Sequence, residues 1–249
     1  MGELITDRVS FNEKKDSEEE GTMSDALSPD IICKNVLCYG DSNTYGYNPA
    51  NDQRYPQDIR WTGKLQKLLG TGYHIIEEGC NSRTTVFDDP EAEWKNGLYC
   101  LKPCLYSHKP VDIVILMLGT NDLKEEFHAT PENIAEGAEK LVTIIRDFTR
   151  EVQGFIPRIL LVAPARIGDG IADSPFRDSF SVKTIEYSKA LPALYRKVAE
   201  KYGCEFINAA EYATPSELDS LHFMPEDHDK LAKAFAEAIK AGDRAINML

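Results

Sequence analysis

Short apolar runs alternate with longer amphipathic patterns from residue 31 onward. Five short runs rich in apolar residues predict β-strands at residues 35–39, 73–76, 111–118, 158–163 and 204–208. Four longer stretches repeat apolar residues at spacings of three and four, which predicts helices at residues 60–69, 131–149, 182–202 and 225–241. Near-continuous apolar strands separated by helices are typical of a parallel sheet covered on both faces. The pattern therefore predicts an α/β fold, a three-layer α/β/α domain with a doubly wound, five-stranded parallel sheet.

Length and charge narrow the classes of protein. The chain has 249 residues, the size of one domain with at most some appendages, and its net charge is −13. Such an acidic chain repels phosphate backbones and anionic bilayers, so we expect neither a nucleic acid nor a membrane as partner. No apolar run approaches the roughly 20 residues of a membrane span.

The first 30 residues carry nearly half of the net negative charge. They contain nine acidic and three basic residues, a net charge of −6, which leaves −7 for the other 219 residues. Because they are also poor in large apolar residues, we predict a disordered acidic leader at residues 1–30 and a folded domain at residues 31–249. The leader lacks the basic start and apolar stretch of a secretory signal, so we expect a cytoplasmic protein.

Six cysteines bear on redox state and on metals. Without an export signal they are expected to be reduced thiols, several of them within apolar strands. Cys100 and Cys104 are the closest pair, but neither a second pair nor a neighbouring histidine completes a zinc-binding pattern. Glycine-rich phosphate and dinucleotide motifs are also missing from the sequence. We therefore predict no metal site and no cofactor.

The first predicted strand ends in G-D-S at residues 40–42. A serine just past a strand can sit on a tight turn with its backbone N–H at a helix start, so that Ser42 offers both a nucleophile and an oxyanion donor. Asp and Ser are also ordinary helix caps, and G-D-S by itself does not distinguish the two interpretations. The motif is not the G-x-S-x-G elbow of α/β-hydrolases.

Two further polar clusters follow later strands. G-T-N-D at residues 119–122 follows the third predicted strand, where the Asn121 amide either donates to an oxyanion or caps a turn. Asp219 and His222 precede the last helix at a spacing in which the carboxylate can hold one ring nitrogen while the other faces a nucleophile. We expect His228, inside that helix, to be solvated. The joint occurrence of three clusters at the ends of strands one, three and five indicates a catalytic site.

These blocks resemble those of the SGNH, or GDSL-type, hydrolases from about residue 34 to residue 240. Longer strings resemble a branch of arylesterases that also act as acyltransferases. They are R-W-T-G at residues 60–63, E-E-G-x-x-x-R-T-T-x-x-D-D-P at 77–90, N-G followed by L-x-x-C-L-x-x-H within 96–108, and M-L-G-T-N-D-x-K at 117–124. The resemblance implies the flavodoxin-like SGNH hydrolase fold.

The resemblance also implies a role for each matching residue. Ser42 is the expected nucleophile, His222 the general base and then acid, and Asp219 the carboxylate that orients His222. The expected oxyanion hole consists of the backbone N–H groups of Ser42 and Ser82 and of the Asn121 side chain. The wider family has Gly at the position of Ser82. Because the donor there is a backbone N–H, a small side chain is compatible with this role and is expected to narrow the acyl site.

Four residues beside these positions are expected to bind substrate, namely Asn43, Tyr45, Thr120 and Leu221. Many family members have Leu at the position of Asn43, and the acyltransferase branch tends to have Trp at that of Tyr45. We therefore expect both to affect acyl-chain preference. Tyr106 and the aromatic residues around Phe176 are candidates for the entrance of the site.

The expected function is that of a serine esterase that hydrolyses short-chain aryl or alkyl esters through an acyl-enzyme, with acyl transfer to alcohols as a second outcome. Carbohydrate O-acetylesterases, thioesterases and lysophospholipases use the same triad and are the alternatives. A non-catalytic binding module has no need of all four of the Ser, Asn, Asp and His residues, and an acidic interaction domain is supported by net charge alone. The expected partner is a small-molecule ester, and oligomeric relatives in the acyltransferase branch imply a homo-oligomer.

Overall fold

The computed structural model describes residues 33–90 and 92–246. Five parallel strands form one sheet in the order β2-β1-β3-β4-β5. The strands are β1 (Lys34–Gly40), β2 (Tyr73–Gly79), β3 (Ile113–Met117), β4 (Arg158–Ala163) and β5 (Glu205–Asn208). The predicted doubly wound, five-stranded parallel sheet is confirmed. The predicted leader at residues 1–30 lies outside the described residues.

Six α-helices are found within the described ranges. They are α1 (Ser42–Tyr45), α2 (Trp61–Leu69), α3 (Gly97–Ser107), α4 (Pro131–Gln153), α5 (Val182–Tyr202) and α6 (Pro225–Ile246). Helices α2 and α6 cover one face of the sheet, and α3, α4 and α5 cover the other. In this part of the chain, no helix has the length and apolar character needed to cross a membrane.

The alternation of side chains along the strands builds two cores. On β3, Ile113, Ile115 and Met117 belong to the core beneath α2 and α6. Val114 and Leu116 belong to the core beneath α3, α4 and α5. Successive side chains of a strand point to opposite faces, so a strand buried on both faces must be apolar throughout. This requirement explains why the inner strands β1, β3 and β4 could be predicted from apolar runs.

Helix α3 was not predicted from the sequence. It begins after Asn96, whose side chain accepts a hydrogen bond from the Leu98 N–H at 2.8 Å, and it contains Pro103. Glycine at its first position and proline in its interior weaken the local helical signal. Its stability comes instead from burying Leu101 and Leu105 against the sheet.

Candidate active site

The candidate residues converge because three neighbouring strands end side by side. Gly40, the last residue of β1, is paired with Gly79 of β2 on one side and with Met117 of β3 on the other. The loops after these strands therefore begin at one edge of the sheet, as in other doubly wound folds. A Cβ atom at Gly79 would lie only 2.1 Å from the Tyr45 backbone nitrogen, so glycine is required for helix α1 to approach β2.

Helix α1 presents Ser42 directly after β1. The Asp41 carboxylate caps the helix by accepting from the Asn43 N–H at 2.9 Å, and Gly46 ends it in the left-handed conformation with φ of 85°. Within the described ranges, no hydrogen bond leads from the Ser42 N–H to another residue. This N–H is therefore free to donate to a ligand. Burial raises the pKa of Asp41 to about 6.

Ser42, His222 and Asp219 form a continuous hydrogen-bonded chain. The His222 Nδ1 lies 2.6 Å from Asp219 Oδ2, and its Nε2 lies 2.8 Å from Ser42 Oγ. Because an ionised carboxylate only accepts hydrogen bonds, it fixes the proton on Nδ1 and leaves Nε2 to accept from the serine hydroxyl. All three side chains are buried. The arrangement has the geometry needed to activate a serine nucleophile.

Asp219 also shapes the loop that carries His222. Its Oδ1 atom accepts from the backbone N–H groups of Leu221 and His222, both at 3.0 Å, and from Ser216 Oγ at 3.1 Å. Burial by itself raises the pKa of Asp219, but the hydrogen bonds and charge of His222, together with the backbone donors, outweigh it and hold the pKa below its usual value. The carboxylate therefore remains ionised beside the imidazole.

Asn121 and Ser82 lie on the two loops that flank Ser42. The Asn121 Nδ2 donates one hydrogen to the Arg83 carbonyl at 3.1 Å, which orients the amide and leaves its second hydrogen available. Ser82 has a φ of 63°, in the left-handed region that favours the glycine of the wider family. Its N–H makes no hydrogen bond within the part of the chain that the structure describes. Buried Asp122 fixes the same loop by accepting from the Thr85 N–H.

These groups open into a cavity of about 280 Å³. Its lining combines the catalytic candidates with polar and aromatic side chains: Ser42, Asn43, Tyr47, Asn81, Ser82, Thr120, Asn121, Lys124, Phe176, Ser179, Phe180, Leu221 and His222. The Tyr47 ring lies 4.1 Å from the His222 ring, between centroids. A larger cavity of about 670 Å³ beside α2 has none of these residues in its lining, so we assign the site to the smaller cavity.

The expected substrate-binding residues differ in their placement. Asn43, Thr120 and Leu221 line the cavity, although the Asn43 amide donates to the Leu221 carbonyl at 3.2 Å and so also holds α1 against the histidine loop. Tyr45 is not part of the lining, and its ring instead lies beneath the Arg54 guanidinium, 4.5 Å from the ring centroid. Its side chain points away because successive residues of α1 project in different directions.

The two candidates for the entrance of the site, Phe176 and Tyr106, also differ in their placement. Phe176 lines the cavity, with its ring 5.5 Å from that of His222. Tyr106 lies exposed on α3, where the Lys109 ammonium sits 3.8 Å from its ring centroid, and it is not part of the cavity wall. Phe180, the next aromatic residue after Phe176 in the sequence, also lines the cavity, whereas Tyr47, Asn81, Lys124 and Ser179 were not predicted as lining residues. No local motif marks them as a group, because separate loops bring them together.

The expectation that His228 is solvated was wrong. Its side chain is fully buried, with Nδ1 accepting from the Trp61 N–H at 3.3 Å and the rings of Tyr55 and Phe223 packed edge-on against it. Burial lowers the pKa of His228 to about 3, so the ring is neutral at physiological pH. It lies on the face of α6 that packs against α2, a fact that its position within a helix does not reveal.

No zinc-binding pattern was predicted around Cys104, but the structure brings a histidine and a glutamate close to it. Cys104 and His108 are four residues apart on one face of α3 and its cap, and Glu78 at the end of β2 lies 2.9 Å from His108 Nε2. The ligating atoms of these three residues all lie within 4.8 Å of one another, so this group could hold a metal ion. It is separate from the residues that line the cavity.

Comparison with known proteins gives a consistent family. A model of the GDSL-like lipase/acylhydrolase family matches residues 38–231. An acetylxylan esterase of Xylanibacter ruminicola is 25% identical over 229 residues, which cover 82% of this chain and 43% of that protein. The chain thus spans less than half the length of this curated relative.

Two solved structures have a higher sequence identity to this chain than the acetylxylan esterase has. Est24, a carbohydrate acetylesterase from Sinorhizobium meliloti, is 39% identical with a TM-score of 0.78, and the match covers 84% of this chain and 99% of that one. The aryl esterase of M. smegmatis is 34% identical with a TM-score of 0.79 and the same coverage of both chains. Both likenesses extend over nearly the whole of the described fold.

Proposed function

This chain belongs to the GDSL-like lipase/acylhydrolase family of carboxylic ester hydrolases, and from that premise we propose that it cleaves short-chain acyl esters through an acyl-enzyme on Ser42. The observation that carries the proposal is the hydrogen-bonded chain from Asp219 through His222 to Ser42 in a cavity wall. The cavity volume of about 280 Å³ lies just below the range of about 300–1,000 Å³ for pockets that take drug-sized ligands, which favours small acyl groups.

Acylation begins when Ser42 Oγ attacks the ester carbonyl. His222 Nε2 takes the hydroxyl proton, and Asp219 stabilises the imidazolium that forms. The negative oxygen of the tetrahedral intermediate is held by the free N–H groups of Ser42 and Ser82 and by the second amide hydrogen of Asn121. The ester C–O bond then breaks, and His222 returns its proton to the departing alcohol.

Deacylation repeats these steps with water as the nucleophile. His222 Nε2 takes a proton from water, the hydroxide attacks the acyl carbonyl, and Ser42 leaves with the proton restored to Oγ. An alcohol in the place of water gives transesterification. Apolar Phe176, Phe180 and Leu221 line the cavity and favour the binding of an alcohol over water, which supports acyl transfer as a second outcome.

Acetylated carbohydrates are the second candidate class of substrate. Two observations favour them: the likeness to Est24, which is a carbohydrate acetylesterase, and the polar side of the cavity. Asn81, Thr120 and Ser179 supply donors and acceptors there that suit sugar hydroxyls. The same catalytic groups would act on both classes, so the classes differ only in the alcohol that leaves.

The test compares 4-nitrophenyl acetate, butyrate and octanoate with a peracetylated xylose, using the full chain and the Ser42→Ala variant. We expect the acetate to be the best of the three nitrophenyl esters and Ser42→Ala to be inactive on all substrates. We further expect a fluorophosphonate probe to label the wild type but not the variant, and Asn121→Ala to lower kcat by about 10²–10³ through loss of one oxyanion donor. Wild-type turnover by Ser42→Ala would refute the mechanism.

A further inference from the structure

One charged side chain in the cavity wall has no part in the mechanism above. Lys124 lines the same cavity as Ser42 and His222, and it is the one lysine or arginine among the residues that line it. Its backbone is fixed by a hydrogen bond from its N–H to the Asn121 carbonyl at 3.2 Å. The next residue, Glu125, donates from its N–H to the Ser179 carbonyl at 2.9 Å, which ties this segment to another part of the cavity wall.

The charge of Lys124 is only weakly compensated by its neighbours. Its side chain is 14% exposed, and the nearest carboxylate in an ion pair with it, that of the half-exposed Glu126, lies 3.9 Å away. The charges of Asp89 and of buried Asp122 also act on Lys124, but Asp89 forms a closer ion pair with Lys95 at 2.7 Å and Asp122 accepts hydrogen bonds from Thr85. No hydrogen bond from the Lys124 ammonium is found among residues 33–90 and 92–246. Burial lowers the pKa of Lys124 accordingly.

A weakly paired lysine in the wall of a small cavity favours an anionic ligand there. Burial of a charge without a close partner costs free energy, and a bound carboxylate removes that cost by forming a charge-assisted hydrogen bond. The attraction is stronger inside the cavity than at an open surface because less water screens it. Because Lys124 and Ser42 line the same cavity of about 280 Å³, one small ester can contact both residues.

We propose that Lys124 is a specificity-determining residue that selects esters bearing a carboxylate close to the scissile bond. The inference rests on the proposed esterase function and names the substrate class more closely. The shared chemistry is a carboxylate within a few bonds of the ester carbonyl. It has two sources, because the carboxylate belongs either to the acyl group, as in a dicarboxylic acid half-ester, or to the alcohol.

Two pairs of substrates distinguish these sources. On the acyl side, 4-nitrophenyl hydrogen glutarate is compared with neutral 4-nitrophenyl butyrate, and on the alcohol side 4-acetoxybenzoate is compared with its methyl ester. The measured quantity is the ratio of kcat/KM for the anionic substrate to that for the neutral one. We expect Lys124→Met to lower this ratio by about ten- to a hundredfold in one pair, which is the effect of losing one hydrogen bond to a charged group. The pair that responds identifies the source of the carboxylate.

Further variants separate charge from packing. Lys124→Arg is expected to keep the ratio near that of the wild type, Lys124→Gln to lower it as Lys124→Met does, and Lys124→Glu to lower it further. Lys189→Met removes an exposed lysine that pairs with Glu186 and does not line the cavity, and we expect it to leave both ratios unchanged. Melting temperatures identify any variant that fails to fold, and at least one neutral variant that folds is needed for the comparison.

A ratio that stays within about twofold of the wild type in both pairs, in a folded neutral variant, would overturn the inference, since a lost charge-assisted hydrogen bond costs more than this. So would an equal fall on anionic and neutral substrates. Neither result affects the proposed esterase function, because the neutral esters report on Ser42 chemistry alone. Failure of the wild type to cleave any neutral ester, with no labelling of Ser42 by a fluorophosphonate, would instead refute the proposed function.

Discussion

Asp219→Asn changes one atom of the triad and removes one charge. In the native structure, Oδ1 of Asp219 accepts three hydrogen bonds, from Ser216 Oγ and the N–H groups of Leu221 and His222, whereas Oδ2 accepts only from His222 Nδ1. An asparagine NH2 group at the Oδ1 position would point its hydrogens at three donors. The amide oxygen therefore takes that position, and the NH2 group faces the imidazole.

This orientation reverses the tautomer of His222. An NH2 group 2.6 Å from Nδ1 donates to it, so the ring proton moves to Nε2, the atom that must accept from Ser42. The imidazolium of the transition state also loses its carboxylate. The same change in a serine protease triad lowers kcat by about 10⁴, or roughly 5 kcal/mol of transition-state stabilisation, and we expect a loss of that size here.

The assay is kcat for 4-nitrophenyl acetate, together with thermal unfolding. Asp219→Asn keeps its three acceptor contacts and should unfold near the wild-type temperature. Asp219→Ala leaves those buried donors unpaired, and it should be less stable by about 1–3 kcal/mol for each donor that water does not reach. The exposed Asp169→Asn is the matched control for both measurements. A kcat loss below about tenfold in Asp219→Asn would refute the tautomer argument.

Two further predictions concern Ser82 in the cavity wall and buried His228. Ser82→Gly should keep kcat on the acetate ester within about threefold, because the oxyanion donor is a backbone N–H. It should also raise the rate on butyrate relative to acetate, because it removes a side chain from the cavity wall. A loss of kcat on acetate of about a hundredfold would contradict the prediction. Burial lowers the pKa of His228 to about 3 in the folded state, whereas its pKa in the unfolded state is about 6.5. Neutral His228 therefore contributes stability in full above about pH 6.5, and this contribution is lost as the pH falls from there towards 3. His228→Asn, which retains an acceptor for the Trp61 N–H, should therefore flatten the decline of the unfolding free energy by up to about 1.4 kcal/mol per pH unit between pH 6 and 4. Chemical denaturation across that pH range measures it, exposed His74→Asn is the control, and parallel slopes in variant and wild type would exclude this role of His228.

The elements of the sheet could be predicted because their signals are local. The three inner strands β1, β3 and β4 are largely buried on both faces, so their burial appears as apolar runs, and the alternation of such runs with amphipathic helices specifies a parallel sheet. The blocks that contain Ser42, Asn121 and His222 were also visible, because each follows a strand at a fixed short distance. Because the carboxyl ends of parallel strands lie at the same edge of a sheet, blocks that directly follow the strands are expected at that edge.

What the tertiary structure alone decided are contacts between distant segments. His228 is buried because α6 packs against α2, and a helical position does not reveal what packs on it. Cys104 and His108 meet Glu78 because the C-terminal end of α3 lies beside the end of β2. Tyr45 is directed away from the cavity by the short turn of α1. The cavity wall, including Lys124, is assembled from several loops whose conformations depend on one another. Apolar periodicity reports the burial of an element, whereas the neighbours of that element depend on how the elements pack. The sequence therefore determined the sheet and the edge that carries the candidate catalytic residues, while only the fold determined what surrounds that edge.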